Sequence, residues 1–208
     1  MTRIIFFGGS TGYGAWDEEG GWVDRLKRHI HKKVVAGELY CFLYNLGISG
    51  KSTNDMIMRM DFEIKQRIKS NEETVVLVEA GTNDSRYVHS KGSRETSPDE
   101  FAKNLKKIIE ISRKYADKIF FIGPREIDQT KTDPIPWRTD LSFRLKDIEE
   151  YNNIMKRVCD EEGVGFVELF GKFKDPELLF GDGLHPSTKG HELIFKTVLP
   201  VLEKNGII

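Results

Sequence analysis

The sequence predicts a three-layer α/β/α sandwich built around a central five-stranded parallel sheet. Three observations carry that expectation. Five short apolar runs recur along the chain, each nearly continuous rather than alternating, which is how strands covered on both faces read. Between them lie segments whose apolar residues repeat at helical spacing, and strand–helix alternation of this kind builds a parallel sheet with helices on its faces. Glycine-bearing polar segments follow several of the runs, at the sheet edge where the loops of a parallel sheet converge on ligands.

In chain order, the expected strands are residues 3–7 (RIIFF), 39–46 (LYCFLYNL), 74–79 (TVVLVE), 118–122 (KIFFI) and 164–169 (VGFVEL). RLKRHIHKK, between the first two, reads as a basic helix face on which His29 and His31 are solvated. Met56, Met60, Ile64 and Ile68 repeat every fourth residue, and at that spacing the Met56, Met58, Met60 cluster reads as core rather than as a ligand patch. Phe101, Leu105, Ile108, Ser112 and Tyr115 form a second stripe, opened by Ser97-Pro98-Asp99-Glu100, a capping box with proline at the first helical position. Ile148, Tyr151, Met155 and Val158 form a third, and Leu193, Ile194, Val198 and Leu202 a fourth that stops at Asn205-Gly206. Residues 123–140 (GPREIDQTKTDPIPWRTD) resist assignment. So long a connection in a compact domain is either a functional lid or binding loop, or a disordered excursion.

Composition bounds the function. The chain has 208 residues, 38% hydrophobic and 31% charged, enough to bury about 70% of its unfolded surface in one domain spanning residues 1–208 without metals or disulfides. Thirty-two basic against thirty-three acidic residues leave a net charge of −1, which gives no support to a nucleic-acid partner. Cys41 and Cys159 stand far apart in apolar runs and are expected to be buried, reduced thiols. No stretch approaches eighteen apolar residues and the N-terminal run is too short for a signal peptide, so a cytoplasmic protein without stable membrane association is expected. No HExxH, Cys/His cluster or EF-hand loop occurs; neither metal nor other cofactor is expected.

Chemistry should sit just beyond the strand ends. There the chain places Gly8-Gly9-Ser10-Thr11-Gly12-Tyr13-Gly14, Asn45-Leu46-Gly47-Ile48-Ser49-Gly50, Gly81-Thr82-Asn83-Asp84 and, after the last strand, Asp182-Gly183-Leu184-His185-Pro186. The first lacks the lysine of a P-loop, so a nucleotide binder would leave the other segments without a role. Asp182 stands three residues before His185 in a turn, a spacing at which a carboxylate can reach Nδ1, fix the tautomer and stabilise an imidazolium.

In order and spacing, these segments resemble the four blocks of the SGNH hydrolases, the GDSL-type esterases and lipases. Asn-x-Gly-x-Ser-Gly is matched by residues 45–50, Gly-x-Asn-Asp by 81–84 and Asp-Gly-x-His-Pro by 182–186. The first block departs, with Gly9 where the family has aspartate before the serine, and a glycine pair is expected to loosen the turn that aims Ser10. The resemblance implies a flavodoxin-like fold and a catalytic set of Ser10 as nucleophile, His185 as general base and acid, and Asp182 as its orienter. It implies an oxyanion hole of the Ser10 and Gly50 N–H groups and the Asn83 amide. It implies a small-molecule ester substrate among short-chain esters, lysophospholipids, thioesters and acetylated carbohydrates, with a small soluble ester favoured. The alternative is a catalytically impaired binding module of the same fold for an acylated or glycosylated ligand. Around the site, Trp16 is expected to wall the acyl pocket, Trp22 to pack under a helix, Asp84 to brace its loop, and His191 to be exposed. The segment around Pro134, Pro136 and Trp137 is expected to cover the leaving group.

Overall fold

In the computed structural model, which describes residues 1–208, all five apolar runs form one parallel sheet. Its strands are β1 (Thr2–Gly8), β2 (Cys41–Gly47), β3 (Glu73–Glu79), β6 (Lys118–Ile122) and β8 (Gly165–Val167), in the spatial order β2-β1-β3-β6-β8. Two boundaries move inward from the sequence expectation: β2 starts two residues late, and β8 holds only three residues. The minor strands β4 (Tyr87–Val88), β5 (Ser93–Arg94) and β7 (Leu141–Ser142) pair antiparallel in a separate small sheet.

Strand alternation divides the core. Ile5 and Phe7 of β1 face one way, into a cluster with Met56, Met60 and Ile64 of α3 (Thr53–Lys65), Phe101 and Leu105 of α5 (Pro98–Arg113) and Tyr151 of α7 (Leu145–Glu162). Ile4 and Phe6 face the other way, into a cluster with Trp22 and Leu26 of α2 (Gly21–Val35) and Ile194 and Val198 of α8 (Thr188–Lys204). This is the three-layer arrangement that period-2 alternation in a doubly covered sheet requires. Met58 does not join it: it is 87% exposed. Two residues along a helix is about 200° around it, so Met58 lies opposite the Met56–Met60 stripe. Cys41 and Cys159 are free and buried, and burial pushes both thiols up to about 12.

The parallel register decides where loops emerge. Gly8 lies beside Gly47, Phe7 beside Val78 and Glu79 beside Ile122, so the strands end nearly level and the segments after them share one edge. The short helices α1 (Ser10–Tyr13) and α4 (Thr82–Ser85) begin there. Residues 123–140 are an ordered segment rather than a disordered excursion. They contain α6 (Gln129–Thr132) and bury Ile127 and Ile135 with Leu141, Phe143 and Leu184. No helix is long and apolar enough to cross a membrane.

Candidate active site

Ser10 is the first residue of α1, and its N–H is one of those that a helix leaves without an intrahelical acceptor. The turn carrying it is tied down by Asn45, whose side-chain amide donates to the Gly12 carbonyl at 2.8 Å while its oxygen accepts from Gly47 N–H at 3.0 Å. Asn45 therefore binds the turn after β1 to the end of β2, a role that the sequence motif alone does not state. Asp84 does the same for the next turn. Buried, it accepts from Thr53 N–H at 3.0 Å and Gly81 N–H at 3.2 Å, locking α4 against the start of α3 as expected of a bracing residue.

His185 sits at the far end of the chain and meets Ser10 across 175 residues. Its Nε2 lies 2.9 Å from Ser10 Oγ, and its Nδ1 lies 2.6 Å from Asp182 Oδ2. The other Asp182 oxygen accepts the Leu184 and His185 N–H groups at 2.8 and 2.9 Å. Burial raises the Asp182 carboxyl, but the His185 bond and these two N–H groups outweigh it and hold it below the ordinary carboxylate value. An ionised Asp182 at 2.6 Å demands a proton on Nδ1, which leaves the Nε2 lone pair facing the serine hydroxyl.

The indole N–H of Trp16 also reaches His185 Nδ1, at 3.1 Å, with the two rings edge-to-face. Indole only donates, so once Nδ1 carries its proton this contact is not a hydrogen bond; the shorter, charge-assisted contact to Asp182 decides the tautomer. Trp16 holds a left-handed φ of +66° and is 63% exposed, an outlier for a bulky residue. Its neighbour maintains it: buried Asp17 pairs with Arg25 and accepts from Gly21 N–H at 3.0 Å and Thr188 Oγ1 at 2.8 Å. Trp16 thus stands against His185, beyond the expected role of pocket wall.

Gly50 and Asn83 reach the same edge. Gly50 takes a φ of +76°, a backbone open to glycine at little cost, and it is exposed. Asn83 Nδ2 donates to the Lys51 carbonyl at 3.0 Å, and the second amide hydrogen remains for a ligand. Gly9 has an ordinary negative φ of −98°, so backbone freedom is not its purpose. A Cβ there would come within 2.9 Å of Asn83 Nδ2; the small residue makes room for that amide. Ser10, Asn83 and His185 share a narrow cleft of about 20 Å³ with Lys51, Glu79 and Arg125.

Several expectations change. His191 is fully buried, not exposed: its Nδ1 accepts from Trp22 N–H at 3.3 Å, and burial pushes its pKa down to about 4. The reason is that α8 begins at Thr188 and turns that face of the helix onto α2. His29 is half-buried against Phe195 rather than solvated, whereas His31 is exposed. Trp22 is buried as expected, and its indole N–H also donates to Glu79 Oε2 at 3.1 Å. Pro134, Pro136 and Trp137 do not line the cleft. Their segment backs the His185 loop instead: Asp128 N–H donates to the Gly183 carbonyl at 2.8 Å, and Arg125 to the Leu184 carbonyl at 2.7 Å. Glu79 and Arg125 carry no motif signal, and only the folded chain brings them to the cleft.

A model of the GDSL-like Lipase/Acylhydrolase family matches residues 6–193. The chain is 24% identical over 210 residues to the human isoamyl acetate-hydrolyzing esterase 1 homolog, covering 97% of this chain and 82% of that one. It is 26% identical over 160 residues to the Saccharomyces cerevisiae isoamyl acetate-hydrolyzing esterase, covering 70% of this chain and 64% of the other. Among solved structures, a lipase/acylhydrolase from Enterococcus faecalis aligns with a TM-score of 0.72 at 23% identity, over 99% of this chain and 97% of that one. Axe2, an acetylxylan esterase from Geobacillus stearothermophilus, aligns with a TM-score of 0.72 at 20% identity, over 95% and 92%.

Proposed function

The chain belongs to the GDSL-like lipase/acylhydrolase family and is an ester hydrolase of that type; on that premise we propose that it cleaves small carboxylic esters, acetate esters foremost, through an acyl-enzyme on Ser10. The observation that carries this reading is the continuous chain Asp182–His185–Ser10, with contacts of 2.6 and 2.9 Å. Ser10 Oγ attacks the ester carbonyl as His185 Nε2 takes its proton. The carbonyl oxygen becomes an oxyanion received by the N–H groups of Ser10 and Gly50 and the amide of Asn83. As the intermediate collapses, the C–O bond to the alcohol breaks and Nε2 returns the proton to the departing oxygen. A water then repeats the sequence on the acyl-enzyme and releases the acid. Asp182 holds the tautomer throughout and stabilises the imidazolium without taking its proton.

The lining of the cleft supports a short acyl group: Ala80 and Leu184 are its apolar residues, too few to cover a long chain. The named activities of the isoamyl acetate-hydrolyzing esterases and of the acetylxylan esterase point the same way. The test pairs a fluorophosphonate label with acetate, butyrate and octanoate esters of p-nitrophenol, on the wild-type chain and Ser10→Ala. Expected are labelling that vanishes in the variant and kcat/KM falling with chain length. A folded wild-type chain that takes no label would instead support the binding-module alternative.

A further inference from the structure

Directly behind His185 stand two charged groups that the proposed chemistry does not use. Arg125, 3% exposed, follows β6 and donates from a terminal guanidinium nitrogen to the carbonyl of Leu184 at 2.7 Å. That carbonyl belongs to the residue preceding His185, on the turn whose N–H groups Asp182 accepts. Arg125 also lies over the Phe173 ring, 5.3 Å from its centroid, a cation–π distance. Its Nε has no partner, so its charge is compensated at a distance. The carboxylate that faces it is Glu79, the last residue of β3, half-buried at the cleft and held by Trp22 Nε1 at 3.1 Å.

We propose that Glu79 and Arg125 form a charge couple that positions His185, with Arg125 fixing the turn through the Leu184 carbonyl and Glu79 supplying the counter-charge. This rests on the esterase reading of the same site. The couple is Coulombic: Glu79 and Arg125 line the same cleft, and the attraction acts on both groups. Burial is the larger influence on each: it pushes Glu79 up to about 7 and Arg125 down to about 10. The other titratable groups facing them are Asp182, Glu126 and the buried His191 on Arg125, with Lys51, Asp84 and His185 around the cleft. When Glu79 takes up a proton, the field of Arg125 falls uncompensated on the Asp182–His185 pair. Low pH therefore withdraws the couple.

The test is the pH profile of p-nitrophenyl acetate hydrolysis, with fluorophosphonate labelling in parallel, for the wild-type chain, Glu79→Gln and Arg125→Gln. Glu79→Gln keeps the size of the side chain and an oxygen for Trp22. Expected are a kcat about 10- to 100-fold lower with KM within about twofold, as for a misplaced catalytic group, and an acid limb that falls with one proton in Glu79→Gln but two in the wild type. Arg125→Gln should share the lowered kcat. A Glu79→Gln chain with wild-type kcat and an unchanged acid limb, beside a wild type that labels, overturns the couple and leaves the esterase reading standing. A wild type that neither labels nor turns over overturns both. Should Arg125→Gln not fold, the Glu79→Gln profile decides alone.

Discussion

Replacing Asp182 by asparagine tests the tautomer argument most directly. The oxygen of the new amide can still accept the Leu184 and His185 N–H groups, now at 2.8 and 2.9 Å, so the turn survives and thermal stability should change little. The other half of the amide becomes an NH₂ facing Nδ1, where a carboxylate oxygen now stands at 2.6 Å. An NH₂ cannot accept, so it forces Nδ1 to be the acceptor and moves the imidazole proton to Nε2. Trp16 pushes the same way, since its indole N–H already lies 3.1 Å from Nδ1 and becomes a true hydrogen bond in that tautomer. Nε2–H then points at Ser10 Oγ, 2.9 Å away, and no lone pair remains to take the serine proton. Locking the wrong tautomer in this way costs about 10³- to 10⁴-fold in kcat, equivalent to about 4–5.5 kcal/mol of transition-state stabilisation. The assay is kcat and KM for p-nitrophenyl acetate together with thermal unfolding. Adding Trp16→Phe to the Asp182→Asn chain should restore part of the loss, because one of the two donors enforcing that tautomer is gone. A variant that keeps a tenth or more of the wild-type kcat would refute the reasoning, as would a loss explained by unfolding.

Three further outcomes concern Asn83, Gly9 and Asp17. Asn83→Ala should lower kcat about 10²- to 10³-fold, the usual cost of an oxyanion donor, and Gly9→Ala should lower it less while leaving the melting temperature nearly unchanged. The added methyl displaces a flexible amide, which a Cβ would approach to 2.9 Å, rather than backbone; equal kcat values for Gly9→Ala and wild type would count against an oxyanion role for Asn83. At Asp17, burial raises the carboxyl, but Arg25, Thr188 and the Gly21 N–H outweigh it and hold the pKa at about 2, against 3.8 ordinarily. A depressed carboxylate stabilises the folded chain above its unfolded pKa and loses that contribution as pH falls. About 2 kcal/mol should therefore disappear between pH 4 and 2. The gap in unfolding free energy between wild type and Asp17→Asn should close over that window, and a gap independent of pH would exclude the ion pair as its source.

Local pattern determined much of this protein. The five strand runs, the stripes of α3, α5, α7 and α8, and the residues brought to one edge in Ser10, Gly50, Asn83, Asp182 and His185 are all legible before folding. Strand and helix periods are set by neighbours a few residues apart, and catalytic chemistry restricts which residue types can serve at the ends of strands. What the pattern misjudged involves contacts between distant segments. His191 looks solvated beside its own neighbours, but α8 packs it onto Trp22, 169 residues earlier. Met58 is a local exception: two residues from Met56 and Met60, it falls on the opposite face of α3 and is exposed. The polar stretch 123–140 leaves a lid or binding loop and a disordered excursion equally open, and only the fold shows that the Asp128 N–H and Arg125 meet carbonyls of the His185 turn. Only the packed tertiary structure decides that Trp16 touches His185, that Gly9 leaves room for Asn83, and that Glu79 and Arg125 stand beside the His185 turn. The physical reason is that polar groups closed off from water must find partners wherever the fold puts them, and no local spacing encodes which partners those are.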